Sequence, residues 1–437
     1  MVARLDLTMI DIRQIRDRFE ETAQALARRG VSRDELEKIR ELDAHRRALI
    51  TEGDALRAEQ REGSRRIGSA PPEERAELIA EVKAVSARLD QLEPAQAEAE
   101  EALERALAVV PNLPHPASPD GADESDAVEL YKFGTKPVFD FTVHDHVEIG
   151  EALGVIDIPR AVKVAGSRFV YLKGAAVLLE FALVRWGLDR LMAHGFLPVI
   201  PPVLTRGEVL YGTAFLPTGT DQLYHIARDD LYLVGTSEVP LAGLHMNEIV
   251  EREQLPLRYG GFSTCFRREA GTYGKDTRGM FRVHQFDKLE MFSFVLPEDA
   301  EAEHERMRNI EVAQFEELGL HGRVVDIPVG DLGASAARKF DCEVWLPGQQ
   351  AYRELTSTSN CTDYQARRLR CRYRTADGGT EMVHTLNGTL IAVGRTLIAL
   401  LENHQRPDHS VAVPEVLQPY LGTDLITGDT ISAAASR

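Results

Sequence analysis

Of 437 residues only four are cysteine, Cys265, Cys342, Cys361 and Cys371, and no two form a C-x-x-C pair. Zinc-ligand spacing is absent, and the count is too low for a disulfide framework. All four are expected as reduced, buried, small apolar residues in a cytoplasmic protein. Long apolar runs are missing as well. No stretch could span a bilayer, and Met1 to Leu7, carrying Arg4 and Asp6, lacks a signal-peptide core. Membrane attachment is therefore not expected. Positive charge is also short. A formal net charge of −18 argues against a nucleic-acid binder with a wholly basic surface, but local basic patches remain possible at any total.

Aromatics are nearly absent from Val31 to Ala108, where Glu, Arg, Leu and Ala dominate. A heptad seam runs through Leu78, Val82, Val85, Leu89 and Leu92, then Ala99, Leu103, Ala106 and Val110. A weaker seam through Ile39, Leu42, Leu49 and Leu56 is interrupted by Gly53 and Gly63. Pro71 and Pro72 stop one helix and start the next. Two helices with so short a turn pair antiparallel, giving a hairpin arm over residues 1–111. Its first helix is rich in Arg and Lys, its second in Glu. Read alone, solvated faces with cross-helix ion pairs explain this better than a phosphate-binding face does. A Pro- and Asp-rich linker covers 112–130, and a second domain of mixed composition covers 131–437.

That second domain carries the informative chemistry. Phe266 to Glu290 reads as two strands joined by a polar, Gly-rich loop. Alternation puts Arg267 and Glu269 on one face, and Arg282, His284, Phe286, Lys288 and Glu290 on one face of the return strand. Guanidinium groups, an aromatic plane and carboxylates so arranged suit a nucleoside triphosphate and a small zwitterion. Earlier, Leu231 to Val234 reads as a strand running into Gly235-Thr-Ser-Glu238, whose hydroxyl and carboxylate suit an ammonium group.

The hairpin resembles motif 2 of class II aminoacyl-tRNA synthetases. Thr236-Ser-Glu238 before it and Asn387-Gly-Thr389 after it narrow the resemblance to the seryl-tRNA synthetases of bacterial type, from about Met9 to about Leu421. It implies an α+β fold, in which an antiparallel two-helix coiled-coil arm precedes a catalytic domain built on an antiparallel sheet flanked by helices. It also implies ATP-dependent activation of L-serine to seryl-adenylate and transfer to the end of tRNA(Ser). Whether tRNA(Sec) is charged too stays open.

The resemblance assigns roles residue by residue. Arg267 and Arg395 are the catalytic cations. Serine is expected at Thr236, Ser237, Glu238, Arg267, Glu290 and Thr389. ATP is expected at Arg267, Arg268, Glu269, Arg282, Phe286, Glu354, Leu355, Thr356, Ser357 and Arg395. Glu354 and Ser357 resemble the pair that holds a magnesium ion on ATP, and hard oxygens fit that ion. Their spacing puts them on opposite faces of a regular strand, so a bend or bulge is required there. No zinc is expected. Arg40, Arg47, Arg57 and Arg61 on the arm, and Lys275 in the loop, are the candidates for tRNA. Gly195 to Leu204, with Pro202, resembles motif 1, which implies a homodimer through the catalytic domain. Two departures fall beside the pocket: Leu390-Ile391 replaces smaller residues, and Gly235 replaces proline. A paralogue making seryl-adenylate for another acceptor, and a non-catalytic RNA-binding homologue, are the rivals. The intact arm disfavours the first. Arg267, Glu290, Glu354 and Arg395 together disfavour the second.

Overall fold

The computed structural model describes residues 10–271 and 278–428; Lys275 lies outside them. The chain divides into two compact units, Met1–Leu113 and Pro114–Arg437.

In the first unit, two short helices (Ile12–Asp17 and Phe19–Ala27) precede helix α1 (Arg33–Ser69) and helix α2 (Pro72–Ala108). A capping box opens α1: Ser32 accepts from the Glu35 amide, and Glu35 accepts from the Ser32 amide. Pro72 sits in the first turn of α2, where its missing N–H costs nothing. Leu56, Val85 and Leu92 form the buried strip between the helices. Two readings of the pattern need correction. Gly53 and Gly63 do not interrupt α1, which runs unbroken through both. A Cβ on Gly63 would stand 2.6 Å from Val82 Cγ2, so this glycine marks a close approach of α2. Near its end, the seam passes through the buried Leu107 rather than Ala106.

The second unit is built on an eight-stranded sheet. Its strands are β1 (Val128–Phe133), β2 (Leu197–Val199), β3 (Leu257–Phe266), β4 (Gln285–Val295), β5 (Gly322–Asp326), β6 (Arg338–Leu346), β7 (Ala351–Asn360) and β8 (His384–Ala392). Their order is β1-β5-β6-β7-β8-β4-β3-β2. Neighbours are antiparallel except β2 and β3, which run parallel. Helices α3 (Ala175–Ala193), α4 (Glu238–Ala242), α5 (Ala300–Glu317) and α6 (Val393–Asn403) pack against it. Leu183, Leu289, Ile391, Phe315 and Leu397 belong to one large buried cluster joining sheet and helices.

Two bulges set the geometry of the centre. Cys342 pairs with Thr356 and Glu343 with Glu354, so Leu355 is left over on β7. Leu289 pairs with Ile391 and Glu290 with Thr389, so Leu390 is left over on β8. Each extra residue turns the side chains after it by one step of the pleat.

Candidate active site

The hairpin strands are shorter than the alternation implies. β3 ends at Phe266 and β4 begins at Gln285, and Glu269 has a left-handed φ of 50°. Arg267, Glu269 and Arg282 therefore lie in irregular chain. They still reach the cavity that Phe286, Lys288 and Glu290 of β4 line. His284 does not: its Nδ1 lies 2.9 Å from the Arg267 carbonyl oxygen, and its ring lies 5.3 Å from that of Phe169. Arg278 forms ion pairs with Asp145 at 3.0 Å and Glu148 at 3.6 Å.

The cavity holds about 420 Å³, within the range of small-molecule sites. Thr236, Glu238, Thr389, Glu354, Leu355, Thr356, Ser357 and Arg395 line it with the hairpin residues. The bulge at Leu355 is what brings Glu354 and Ser357 to one cavity. Ser237 and Arg268 do not line it. Ser237 is fully buried, its hydroxyl 2.7 Å from that of Ser263. Arg268 is exposed. The departures Leu390 and Ile391 do not line it either. The bulge turns both against α3, where a Cβ on Gly187 would meet their side chains. Gly235 accepts a hydrogen bond at its carbonyl from Arg267 Nε, at 3.1 Å.

At the closed end, four polar side chains converge. Lys288 Nζ donates to Thr236 Oγ1 at 2.7 Å and pairs with Glu290. Glu290 Oε2 accepts from the hydroxyls of Thr236 and Thr389, each at 3.5 Å. Glu238, the first residue of α4, is nearly buried rather than superficial. Its Oε1 accepts from Gln365 at 2.7 Å and Asn387 at 3.0 Å. Burial, then the nearby Glu290, pushes its carboxyl up to about 7.

At the open end the cations gather. Arg267 lies over the Phe286 ring, 5.3 Å from its centre. Arg282 donates to Glu269 at 2.6 Å. Arg395, on the first turn of α6, donates to the Glu354 carbonyl at 2.8 Å and to its carboxylate at 3.3 Å. Enclosure alone would raise the Glu354 carboxyl, but Lys339, Arg395 and Arg267 outweigh it and hold it at about 2. Lys339 bonds to Asp341, whose carboxyl burial pushes up to about 7 against the pull of that lysine. Lys339 and Gln365 carry no role expected from the sequence, and Asn387 enters only as the first residue of Asn387-Gly-Thr389. Lys339 carries only the weak signal of a Lys-x-Asp alternation on β6, while Lys288 shares the alternating face of β4. Among the described residues no group of three or more His, Cys, Asp or Glu could hold a metal ion, and the four cysteines are buried and unbridged.

Comparison with known proteins covers nearly the whole chain. Residues 9–114 match the family described as the seryl-tRNA synthetase N-terminal domain. Residues 224–404 match the class II tRNA synthetase core domain of the G, H, P, S and T enzymes. The serine–tRNA ligase of Rhodococcus opacus is 49% identical, over 96% of this chain and 100% of its own. That of Acidothermus cellulolyticus is 51% identical, over 96% and 99%. The crystal structure of seryl-tRNA synthetase from Pyrococcus horikoshii complexed with ATP superposes with a TM-score of 0.91 at 40% identity, covering 96% of this chain and 99% of that one.

Proposed function

The chain belongs to the seryl-tRNA synthetases, and from that premise we propose how its own residues divide the work. It is a serine–tRNA ligase of class II, and it binds ATP. Serine reacts first: its carboxylate oxygen attacks the α-phosphorus of ATP in line, and the bond to the β-phosphate oxygen breaks to release pyrophosphate. A terminal ribose hydroxyl of the tRNA then attacks the acyl carbon, and AMP leaves. No covalent intermediate with the protein is needed. Positioning and charge stabilisation carry both steps.

The observation that supports this division best is the polarity of one cavity. Two carboxylates, two hydroxyls and Lys288 occupy its closed end, while three arginines, an aromatic ring and the carboxylates of Glu269 and Glu354 occupy its open end. Serine seats its ammonium group against Glu238 and Thr236, and its hydroxyl against Glu290 and Thr389. Glu290 keeps its bonds to Lys288, Thr236 and Thr389 whatever the ligand, so alanine is disfavoured by the hydrogen bond that only the serine hydroxyl can add. Arg267 neutralises the serine carboxylate and the α-phosphate. Phe286 stacks on adenine, Glu269 accepts from its amino group, and Arg282 and Arg395 meet the outer phosphates.

The donor set near Glu354 fits magnesium bound with ATP: a carboxylate held ionised, and the Ser357 hydroxyl on the same cavity. Magnesium would supply neutralisation of phosphate charge. The arm, residues 1–111, holds the tRNA through exposed arginines of α1. Arg47 and Arg57 are exposed but ion-paired to Asp43 and Asp54, at 3.0 and 3.1 Å. Arg40 lies 4.2 Å from the Phe19 ring centre, and Arg61 is exposed. A homodimer forms through the motif 1 region, where Phe181 is 64% and Ile200 85% exposed on one stretch of α3 and the chain after β2. Transfer of labelled serine to total tRNA tests the function. Serine-dependent pyrophosphate exchange without any charging would move the acceptor away from tRNA.

A further inference from the structure

A second cavity, also about 420 Å³, lies behind the first. The two share Met280, Val283, Phe286 and Gly394 as walls. No step of the reaction uses it. Most of its remaining lining is apolar, with Phe169, Val170 and Leu172 prominent. Its rim includes Val164, 71% exposed, and Tyr171, 44% exposed, so it opens to solvent without passing through the active cavity.

Its charge is one-sided. Glu180 of α3 and Asp287 of β4 are the charged side chains lining it among the described residues, and Tyr171 is the other titratable one. The two carboxyls share a hydrogen bond, and burial followed by that bond pushes Glu180 up to about 8. Asp287 Oδ1 is shut off from solvent and receives no N–H or hydroxyl from the described residues. Polar atoms enclosed without donors are costly, and an apolar cavity with a few convergent polar groups is the usual form of a ligand site. A cation would give Asp287 Oδ1 the partner it lacks.

We propose that this cavity binds a small amphipathic monocation, an ammonium or amidinium group on an apolar body. The charge sits between Glu180 and Asp287, and the body lies along the face of Phe286 away from the active cavity. Phe286 and Gly394 serve both cavities, so occupancy changes the KM for ATP without competing for the serine end.

The probe is benzamidine, titrated calorimetrically into the full chain saturated with serine and a non-hydrolysable ATP analogue. Saturation excludes binding at Glu238 or Glu290. Sub-millimolar binding is expected, with neutral benzamide binding at least about tenfold more weakly, because the charge-assisted bonds are lost. Glu180→Gln should weaken benzamidine by about tenfold and leave uninhibited pyrophosphate exchange unchanged. Affinity should rise between pH 6 and 8.5, because the shared proton must leave before both carboxylates can face the cation. Glu180→Gln should flatten that rise. Absence of binding or equal binding of benzamide would overturn the proposal. So would a Glu180→Gln protein that sediments as a smaller species while the parent ignores benzamidine. In that case a cationic side chain of a second copy fills the cavity.

Discussion

At Arg267 the account is most exposed to test, because this residue is asked to neutralise charge that develops only as serine attacks. Arg267→Ala should lower serine-dependent pyrophosphate exchange on the order of 10²–10³-fold with little change in thermal unfolding. Exchange near the parent rate would remove the residue from its role. Glu238 yields a pH prediction. Its carboxyl, pushed up to about 7, is neutral below that pH and ionised above it. An ammonium group prefers the ionised form, so the KM for serine should fall as pH rises through 7. Glu238→Gln should raise the KM and abolish the trend. The stability contribution runs the opposite way: a carboxyl raised from its ordinary value near 4.5 favours the fold at low pH, and that contribution fades as pH rises through 7. Residue identities were legible where chemistry and alternation coincide, as for Phe286 and Glu290. Ser237 and Arg268 show the limit. Adjacent residues on extended or turning chain point to opposite sides, and a contiguous motif cannot say which of them faces the ligand.

Strands and helices carry a different kind of information. The need for a bulge near Glu354 follows from the spacing of two residues, yet its place at Leu355 depends on the register with β6, the preceding strand of the same hairpin, which the spacing does not give. The second bulge, at Leu390, leaves no trace in the pattern at all. It places two large side chains against Gly187 instead of in the cavity. Gly63 misleads for a related reason. Read alone it is a helix breaker, but it makes room for Val82 of the opposite helix. Gly63→Ala should therefore destabilise the arm, by about 1 kcal/mol or more through overpacking, although alanine is the better helix former. Thermal unfolding followed by circular dichroism would check the sign. The proposed tRNA-binding face belongs to α1. Arg57→Glu with Arg61→Glu should raise the KM for tRNA by on the order of tenfold or more, with a shallower salt dependence. Pyrophosphate exchange should be untouched, and a parallel fall in exchange would show a folding defect instead.

The whole molecule was legible in its order, an arm followed by a sheet domain, because a heptad seam and a motif hairpin are both local signals. Strand order was not, since β1 meets β5 and β4 meets β8 across long separations. A net charge of −18 says little about a tRNA ligase, because binding depends on where individual basic residues lie and not on the total. Assembly belongs to this scale too. Phe181→Glu combined with Ile200→Glu should convert a dimer to a monomer in sedimentation velocity, and an unchanged dimer would place the interface elsewhere. The most direct test of the account is transfer of labelled serine to total tRNA with ATP and magnesium, by the full chain and by a chain in which a short loop replaces residues 33–108. The full chain should charge only serine acceptors. The shortened chain should keep serine-dependent pyrophosphate exchange and lose charging. Equal charging by both would contradict the division of labour between arm and cavity, and absence of exchange in the full chain would contradict the account of the cavity itself.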